Sequence, residues 1–318
     1  MGDHRQHVGE RRARVISKLK GEVCRGPPHR PRQAAPHMTE QATPNPAPVP
    51  RGDLIGKVAL ITGGASGIGL AISRRFAKEG AQLALLGFNV ERLDRACHEI
   101  GEIAGPQNVL AVACDITNEE SVISAVQQTV EHFGRLNVAV NNAGISKSVP
   151  SDECTLADWN RIVAVNATGS FLVSREAIKV FKNQGTGGAL VYINSDDSIK
   201  PSRHFLAYNA SKAAQLHMAR TIANEFGPWK IRANSILPGA VFGNTGIWTQ
   251  EMREARAKVH GFSPDLLEED YKKHNTLGVI IDPDEIAELA VFLASDRAVK
   301  MTGAALVIDG GGAGGFVR

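Results

Sequence analysis

The first predicted strand, turn and helix of this 318-residue chain start in the segment Val58-Ala-Leu-Ile-Thr-Gly-Gly-Ala-Ser-Gly-Ile-Gly69. Its first five residues are aliphatic or β-branched, which predicts a short buried strand over 58–62. Four glycines within the next seven residues predict a tight turn, because glycine adopts backbone angles that a side chain forbids. Apolar residues then recur at helical spacing, so we expect the turn to lead directly into a helix over 68–78.

The same alternation of apolar strands and amphipathic helices continues along the chain. Further strands are predicted at 83–86, 109–113, 136–141, 189–194, 231–237 and 305–308, and further helices at 90–103, 120–133, 159–182, 208–226 and 283–294. Strict alternation implies a parallel sheet covered by helices on both faces. With right-handed crossovers, the expected α/β fold is a Rossmann-type doubly wound sheet in a single domain.

Residues 1–50 differ in composition from the rest of the chain. Positions 1–37 carry nine Lys or Arg against three acidic residues, and eight of the fifteen prolines lie before position 51. Such composition is typical of extended, unpacked chain. We interpret 1–50 as a disordered extension with Met38 as a candidate translation start, an organelle presequence being an alternative, and 51–318 as the folded domain.

Charge and composition exclude several classes of function. Outside positions 1–37 acidic residues exceed basic ones by three, which gives no reason to expect nucleic-acid binding. No run of eighteen apolar residues exists, so no membrane span is predicted. The four widely spaced cysteines indicate a reducing, cytoplasmic location. No His, Cys and acid spacing suggests a metal site.

The glycine turn has the chemistry of a phosphate site. It lies between a strand and the N-terminus of a helix, where free N–H groups and the helix dipole favour an anion. Gly67 would let the backbone approach a pyrophosphate closely, and Gly69 would let the helix pack on the strand. A purely structural glycine turn is the alternative that this motif alone leaves open.

Later motifs make the pattern more specific. In chain order they are Asn141-Asn-Ala-Gly144, Asn166 in Val-Asn-Ala-Thr-Gly, Ser195 thirteen residues before Tyr208, Tyr208-Asn-Ala-Ser-Lys212, Pro238-Gly239, and Thr302-Gly303 with Asp309-Gly-Gly311. With the glycine turn, these motifs resemble those of the short-chain dehydrogenase/reductase family over about residues 54–312.

The resemblance implies an oxidoreductase with the catalytic residues Asn166, Ser195, Tyr208 and Lys212. Tyr208 would exchange a proton with the alcohol, Ser195 would bind the substrate oxygen, and Asn166 would hold a water. Because Tyr208 and Lys212 lie one helical turn apart, we expect the ammonium to lower the pKa of the phenol.

NAD or NADP is the cofactor that the resemblance implies. The residues expected to bind it are Gly63, Ser66, Gly67, Ile68, Gly69, Asn89, Asp115, Ile116, Asn142, Ala143, Gly144, Tyr208, Lys212, Pro238, Gly239 and Val241. For Asp115, a helix cap is the alternative to an adenine contact. Gly87 occupies the position where an acid would bind the ribose of NAD, and this tilts the prediction slightly towards NADP.

The segment 240–278 interrupts the alternation and predicts one or two amphipathic helices. We interpret it as a substrate lobe, with an oligomer contact as the alternative. Asp196, His204 and Trp248 are candidate substrate residues. Asp196 would accept hydrogen bonds from a polyol or sugar, or would simply lie in a solvated loop.

The lobe, with Gly246-Ile-Trp-Thr249, Met252-Arg253 and Arg256, also resembles that of dehydrogenases acting on sugars and sugar-derived alcohols. This resemblance implies interconversion of a secondary alcohol and a ketone, on a sugar or polyol. A 3-oxoacyl-thioester reductase is the alternative enzyme. A non-catalytic, nucleotide-sensing regulator is the alternative from another class, although the complete set of four catalytic residues disfavours it. In the family that the chain resembles, the helices corresponding to 159–182 and 208–226 pair between subunits, which implies a homotetramer or homodimer. Packing of both helix faces inside one subunit is the alternative.

Overall fold

A parallel seven-stranded sheet forms the centre of the structure, a computed structural model that describes residues 52–243 and 245–312. The strands are β1 Val58–Thr62, β2 Gln82–Gly87, β3 Val109–Ala113, β4 Val138–Asn141, β5 Gly188–Ile193, β6 Ile231–Pro238 and β7 Ala305–Ile308. Their order is β3-β2-β1-β4-β5-β6-β7. The direction of winding reverses between β1 and β4, which is where such sheets bind ligands. The extension 1–50 predicted above lies outside the described residues.

Helices cover both faces of this sheet. They are α1 Gly67–Lys78, α2 Val90–Ala104, α3 Glu119–Phe133, α4 Leu156–Val163, α5 Ser170–Gln184, α6 Leu206–Phe226, α7 Gln250–His260, α8 Leu267–Lys273 and α9 Pro283–Ala294. Along β1, Ala59 and Ile61 pack into one core layer while Val58 and Leu60 pack into the other. This alternation buries both faces, as a parallel sheet requires. The predicted doubly wound α/β fold is confirmed.

One predicted helix is divided in the structure. The single helix expected over 159–182 consists of α4, a π-helical turn at Ala164–Gly169, and α5. A π-helical turn holds one residue more than an α-helical turn, and such turns are common at functional sites. Gly169 is required at its end, because a Cβ there would lie 2.7 Å from Cδ1 of Ile116.

No helix among the described residues combines the length and the apolar character needed to cross a lipid bilayer.

Candidate active site

The glycine turn joins the end of β1 to the start of α1. Gly63 and Gly67 have φ values of 64° and 53°, in the left-handed region that favours glycine. At Gly69 a Cβ would lie 2.2 Å from the carbonyl oxygen of Gly63, so only glycine allows this close packing. Ser66 precedes the helix, and its side chain makes no capping hydrogen bond there. The turn therefore offers free polar groups at a helix N-terminus.

A cavity of about 1080 Å³ opens beyond the carboxyl ends of the strands. Most of the predicted site residues line it: Gly63, Ser66, Ile68, Asn89, Asp115, Ile116, Asn142, Ala143, Gly144, Ser195, Asp196, Tyr208, Lys212, Pro238, Gly239, Val241 and Trp248. Four predicted residues do not line it: Gly67, Gly69, Asn166 and His204. Gly67 is covered by the backbone of Thr245, whose oxygen would lie 2.7 Å from a Cβ at this position.

Lys212 is buried between α6 and the end of β5. Its Nζ donates to the carbonyl oxygen of Ile193 at 2.9 Å and to Oε1 of Gln215 at 3.1 Å. An ammonium has three protons, so one of them remains free. The Nζ lies 5.8 Å from the centre of the Tyr208 ring, within reach of its electrostatic field.

The protonation of this pair differs from the prediction. Burial raises the pKa of Tyr208 well above its ordinary value, and Asp197 raises it further, whereas a hydrogen bond from Ser195 lowers it. Burial also lowers the pKa of Lys212, to about 7. In this structure the pKa of Tyr208 is therefore shifted upward, opposite to the expected direction, because a low dielectric disfavours the charged form of both groups.

Ser195 is held in a defined orientation by its neighbours. Its backbone N–H donates to Oδ1 of Asn194 at 3.0 Å, and its Oγ accepts a hydrogen bond from the N–H of Asp197 at 3.1 Å. The hydroxyl of Ser195 donates a hydrogen bond to Oδ1 of Asp196 at 3.4 Å, so an oxygen of a ligand in the cavity would compete with Asp196 for this proton. Asn194 also lines the cavity, and its buried Nδ2 has no partner among the described residues. Sequence reasoning missed Asn194, because nothing in the sequence marks an amide as unpaired.

Asn166 lies in the π-helical turn, fully buried. Its Oδ1 accepts a hydrogen bond from the N–H of Ile145, and its Nδ2 donates to the carbonyl of Ile145 and to Oγ of Ser211, all at 2.9 Å. The side chain thus ties the segment after β4 to α6. These bonds use both protons of Nδ2, so any water that Asn166 holds would have to donate to Oδ1 or to the backbone carbonyl, which already accepts from Oγ of Ser170 at 2.8 Å.

Two adjacent acids line the cavity beside Ser195. Burial raises the pKa of Asp196 to about 6, and the charge of Asp197 adds to the effect, while Lys200 opposes it. The Nζ of Lys200 lies 3.5 Å from Oδ2 of Asp196. Burial likewise raises the pKa of Asp197, against a hydrogen bond from Ser202 and the charge of Arg256. The solvated-loop alternative for Asp196 therefore does not fit its burial.

At the other end of the cavity, β2 and β3 present few charged groups. Gly87 has no side chain, and Phe88 is 86% exposed at the rim. Asn89 caps α2 by accepting a hydrogen bond from the N–H of Arg92 at 2.8 Å. Asp115 accepts hydrogen bonds from the N–H and the hydroxyl of Thr117. Since α3 is capped by another residue, Asn118, the helix-cap alternative for Asp115 is wrong.

The lobe over the cavity contains the two helices α7 and α8. Trp248 stacks on Phe242 with 4.7 Å between ring centres and donates from Nε1 to the carbonyl of Val241 at 2.8 Å. Tyr271 packs edge-on against both rings. His204 instead has a left-handed φ of 65°, and its carbonyl accepts from the N–H of Val149. We therefore exclude His204 from the substrate site.

The described residues fit a nicotinamide dinucleotide. Glycine at position 69 lets α1 pack on the carbonyl oxygen of Gly63, and the side chain of Ser66 makes no capping hydrogen bond at the helix N-terminus. Among the described residues, the buried Oγ1 of Thr245 near this turn has no hydrogen-bond partner, and Lys212 in its charged form has one proton that neither Ile193 nor Gln215 accepts. These groups would hold phosphate, ribose and amide oxygens. In the ranges 52–243 and 245–312 no cluster of His, Cys, Asp or Glu has the arrangement of a metal site.

The glycine turn lies around one cavity with Ser195 and the pair Tyr208 and Lys212. This arrangement is typical of a nucleotide-dependent oxidoreductase. A sequence model of a protein family described as "Enoyl-(Acyl carrier protein) reductase" matches residues 63–312. The chain belongs to the short-chain dehydrogenase/reductase family, whose members use NAD or NADP.

Three comparisons illustrate the relationship. An "Uncharacterized oxidoreductase YuxG" of Bacillus subtilis is 43% identical over 85% of this chain, which spans only 39% of the length of that relative. A D-threitol dehydrogenase of Mycolicibacterium smegmatis is 36% identical, with 81% of this chain and 93% of the relative covered. The structure of a 3-ketoacyl-(acyl-carrier-protein) reductase from Brucella melitensis complexed with NADH is 32% identical, with a TM-score of 0.70 and coverage of 81% and 98%.

Replacement Asp196→Asn is expected to stabilise the protein at neutral and alkaline pH. Burial raises the pKa of Asp196 from 3.8 to about 6, so the folded state is penalised above that pH, where the carboxylate is charged. The penalty fades as the pH falls from about 6 towards 4. The melting temperature of the variant should exceed that of the wild type by a few degrees near pH 8 and approach it near pH 4.

The exposed lobe residue Asp265 provides the control, since Asp265→Asn should change the melting temperature little at either pH. An equal gain for Asp196→Asn at both pH values would contradict the charge explanation.

Proposed function

We propose that the protein is an NAD(P)-dependent dehydrogenase that interconverts a secondary alcohol and a ketone on a sugar or polyol. The observation that carries the proposal is that Ser195, Tyr208 and Lys212 line one cavity together with the glycine turn. The cavity is also polar next to Ser195, where Asp196 and Asp197 lie. This combination supports both the reaction and the class of substrate.

Tyr208 is proposed to move the proton. In oxidation its phenol oxygen takes the proton of the substrate hydroxyl, and in reduction its O–H donates a proton to the carbonyl oxygen. The bound nucleotide would supply the hydride acceptor or donor. Burial keeps the phenol protonated in the structure, which is the form required for reduction. For oxidation the phenol must lose its proton, and a positive charge on Lys212 would favour this.

Ser195, Lys212 and Asn166 are proposed to support this transfer. Ser195 would donate its hydroxyl proton to the substrate oxygen in place of Asp196 and stabilise the charge that develops there. The free proton of Lys212 would bind the nicotinamide ribose. Asn166 is proposed to keep the segment after β4 attached to α6, and its backbone carbonyl would bind a water leading to Lys212.

Asp196 is proposed to recognise the substrate. Its Oδ1 lies 3.4 Å from Oγ of Ser195, so a hydroxyl bound by Asp196 would be next to the oxygen bound by Ser195. Two neighbouring hydroxyls of a polyol have this arrangement. The similarity to a D-threitol dehydrogenase supports the same class. Trp248 would contribute one apolar wall of the cavity.

A second candidate is reduction of a 3-oxoacyl thioester. It is favoured by the description of the family match and by the similarity to a 3-ketoacyl-(acyl-carrier-protein) reductase. Buried carboxylates beside the reacting position argue against it, because a thioester chain offers them no hydroxyl donors.

We further propose that the protein is a cytoplasmic homodimer or homotetramer. Three free cysteines among the described residues, Cys97, Cys114 and Cys154, suit a reducing compartment. Phe171 on α5 and Leu206 on α6 are each 45% exposed and would be covered by a second subunit.

Replacement Tyr208→Phe should abolish turnover while leaving nucleotide binding intact. General acid–base catalysis contributes about 10²–10⁴-fold, and phenylalanine retains the ring but not the proton. Steady-state kinetics and fluorescence titration of the reduced nucleotide measure the two properties separately. Turnover close to that of the wild type would disprove the role of Tyr208, and a wild type without turnover would favour the non-catalytic regulator.

Substrate panels distinguish the two candidate reactions. The wild type should oxidise D-threitol and related polyols or sugars with a higher kcat/KM than it reduces acetoacetyl thioesters, because the cavity wall provides carboxylate acceptors for hydroxyls. Absorbance of the reduced nucleotide reports both reactions. A clear preference for the thioester would replace the polyol proposal by the alternative.

NADP is expected to be preferred slightly over NAD, since no carboxylate at position 87 repels a 2′-phosphate. A Cβ at Gly87 would meet only Leu93 at 3.6 Å, an ordinary contact, so Gly87→Asp can be accommodated. This variant should reduce kcat/KM for NADP by about tenfold or more, because like charges repel.

The control is Gly227→Asp, at an open position of the structure, which should leave the ratio of NADP to NAD unchanged. A wild type that strongly prefers NAD would refute the expected preference.

A further inference from the structure

Arg256 is a charged residue buried inside the lobe. It lies on α7, is only 5% exposed and lines the cavity. A buried guanidinium is costly unless hydrogen bonds and nearby charges compensate it. The groups that contact the guanidinium therefore indicate the role of its buried charge.

Three elements of the structure meet at this guanidinium. Nε and Nη2 donate to the hydroxyl of Tyr271 on α8 at 3.2 and 2.9 Å, and Nη2 also lies 3.1 Å from Nε2 of His260. Nη1 donates to the carbonyl of Arg203 at 3.3 Å, and the guanidinium lies over the Phe205 ring at 4.9 Å. Arg256 thus connects both lobe helices to the segment that immediately precedes α6.

These contacts orient the proton of Tyr271. Because its hydroxyl oxygen accepts from Arg256, its own proton must be donated in another direction. Tyr271 lines the cavity, and the charges of Asp196 and Asp197 act on its pKa. The phenol is therefore a donor that faces the same space as the two acids.

The charge of Arg256 also acts on the cavity. None of its hydrogen bonds described above goes to a carboxylate, yet its charge lowers the pKa of Asp197 against the effect of burial. The cavity therefore combines acceptors, Asp196 and Asp197, with a donor, Tyr271. A substrate hydroxyl both donates and accepts hydrogen bonds, so it can donate to Asp196 or Asp197 and accept from Tyr271.

We propose that Arg256 is a positioning residue that makes the site selective for polyhydroxylated substrates, by orienting the Tyr271 hydroxyl in the cavity that Asp196 and Asp197 also line. This inference rests on the proposed function and extends it to the substrate atoms away from the reacting carbon. Arg256 itself need not touch the reacting atoms. Its loss should weaken binding of hydroxyl-rich alcohols while sparing alcohols that carry only the reacting hydroxyl.

The experiment compares D-threitol with 2-butanol, four-carbon alcohols that differ in their number of hydroxyls. Arg256→Gln should lower kcat/KM for D-threitol by about tenfold or more, the order expected when hydrogen bonds to a charged group are lost. Most of this loss should appear in KM. The kcat/KM for 2-butanol should be essentially unchanged.

Arg253 provides a matched control one turn away on α7. It forms a partly exposed ion pair with Glu268 on α8 at 2.7 Å, so Arg253→Gln also removes a link between the lobe helices. This variant should change neither substrate's kcat/KM, because Arg253 does not line the cavity.

Tyr271→Phe keeps the test decisive if Arg256→Gln fails to fold. The variant retains the packing against Phe242 and Trp248 but lacks the hydroxyl. It should reproduce the selective loss for D-threitol, and in the double variant with Arg256→Gln the losses should be less than additive.

Equal losses for both alcohols, or no loss for either, would overturn the inference while leaving the proposed reaction intact. A wild type that oxidises neither alcohol would refute the proposed function and this inference with it. A wild type that uses 2-butanol as well as D-threitol would also overturn the inference.

Discussion

The buried ammonium of Lys212 connects the helix that carries Tyr208 to the end of a central strand. Its Nζ donates one hydrogen bond to the carbonyl of Ile193, which fixes the position of α6 relative to β5. It donates a second hydrogen bond to the side chain of Gln215. Ser195 follows the same strand by two residues, so the phenol and the serine hydroxyl reach the same cavity. Burial lowers the pKa of Lys212 to about 7, because removal from water destabilises the charged form of the amine.

The proposed substrate selectivity comes from the lobe, whereas the sheet and α6 position the side chains proposed to carry out the reaction. The lobe's aromatic residues Phe242, Trp248 and Tyr271 pack on one another, while Arg256 donates a hydrogen bond to the carbonyl of Arg203 in the segment that precedes α6. The strands and α6 have little freedom, because both faces of the sheet are buried. The lobe has far fewer buried apolar residues, so variation there changes the substrate site without disturbing the sheet.

Local sequence signals predicted most of the fold and much of the site. The strand at 58–62 and the helix at 283–294 have the predicted bounds, because hydrophobic periodicity and Pro283 at the helix start are local features. The division of 159–182 was not predicted, since a π-helical turn has the same hydrophobic pattern as an α-helix. His204 was assigned to the site from its place in the chain, but it does not line the cavity.

The sequence alone determined the alternation of strands and helices, the glycine turn and the spacing of Ser195, Tyr208 and Lys212, because each is a relation between residues close in the chain. Only the folded structure showed that burial shifts both Tyr208 and Lys212 towards their neutral forms, that Nδ2 of Asn194 has no partner within 52–243 and 245–312, and that Arg256 contacts Tyr271 and Arg203. Burial and electrostatic interaction depend on which distant segments pack together, and no local pattern encodes that.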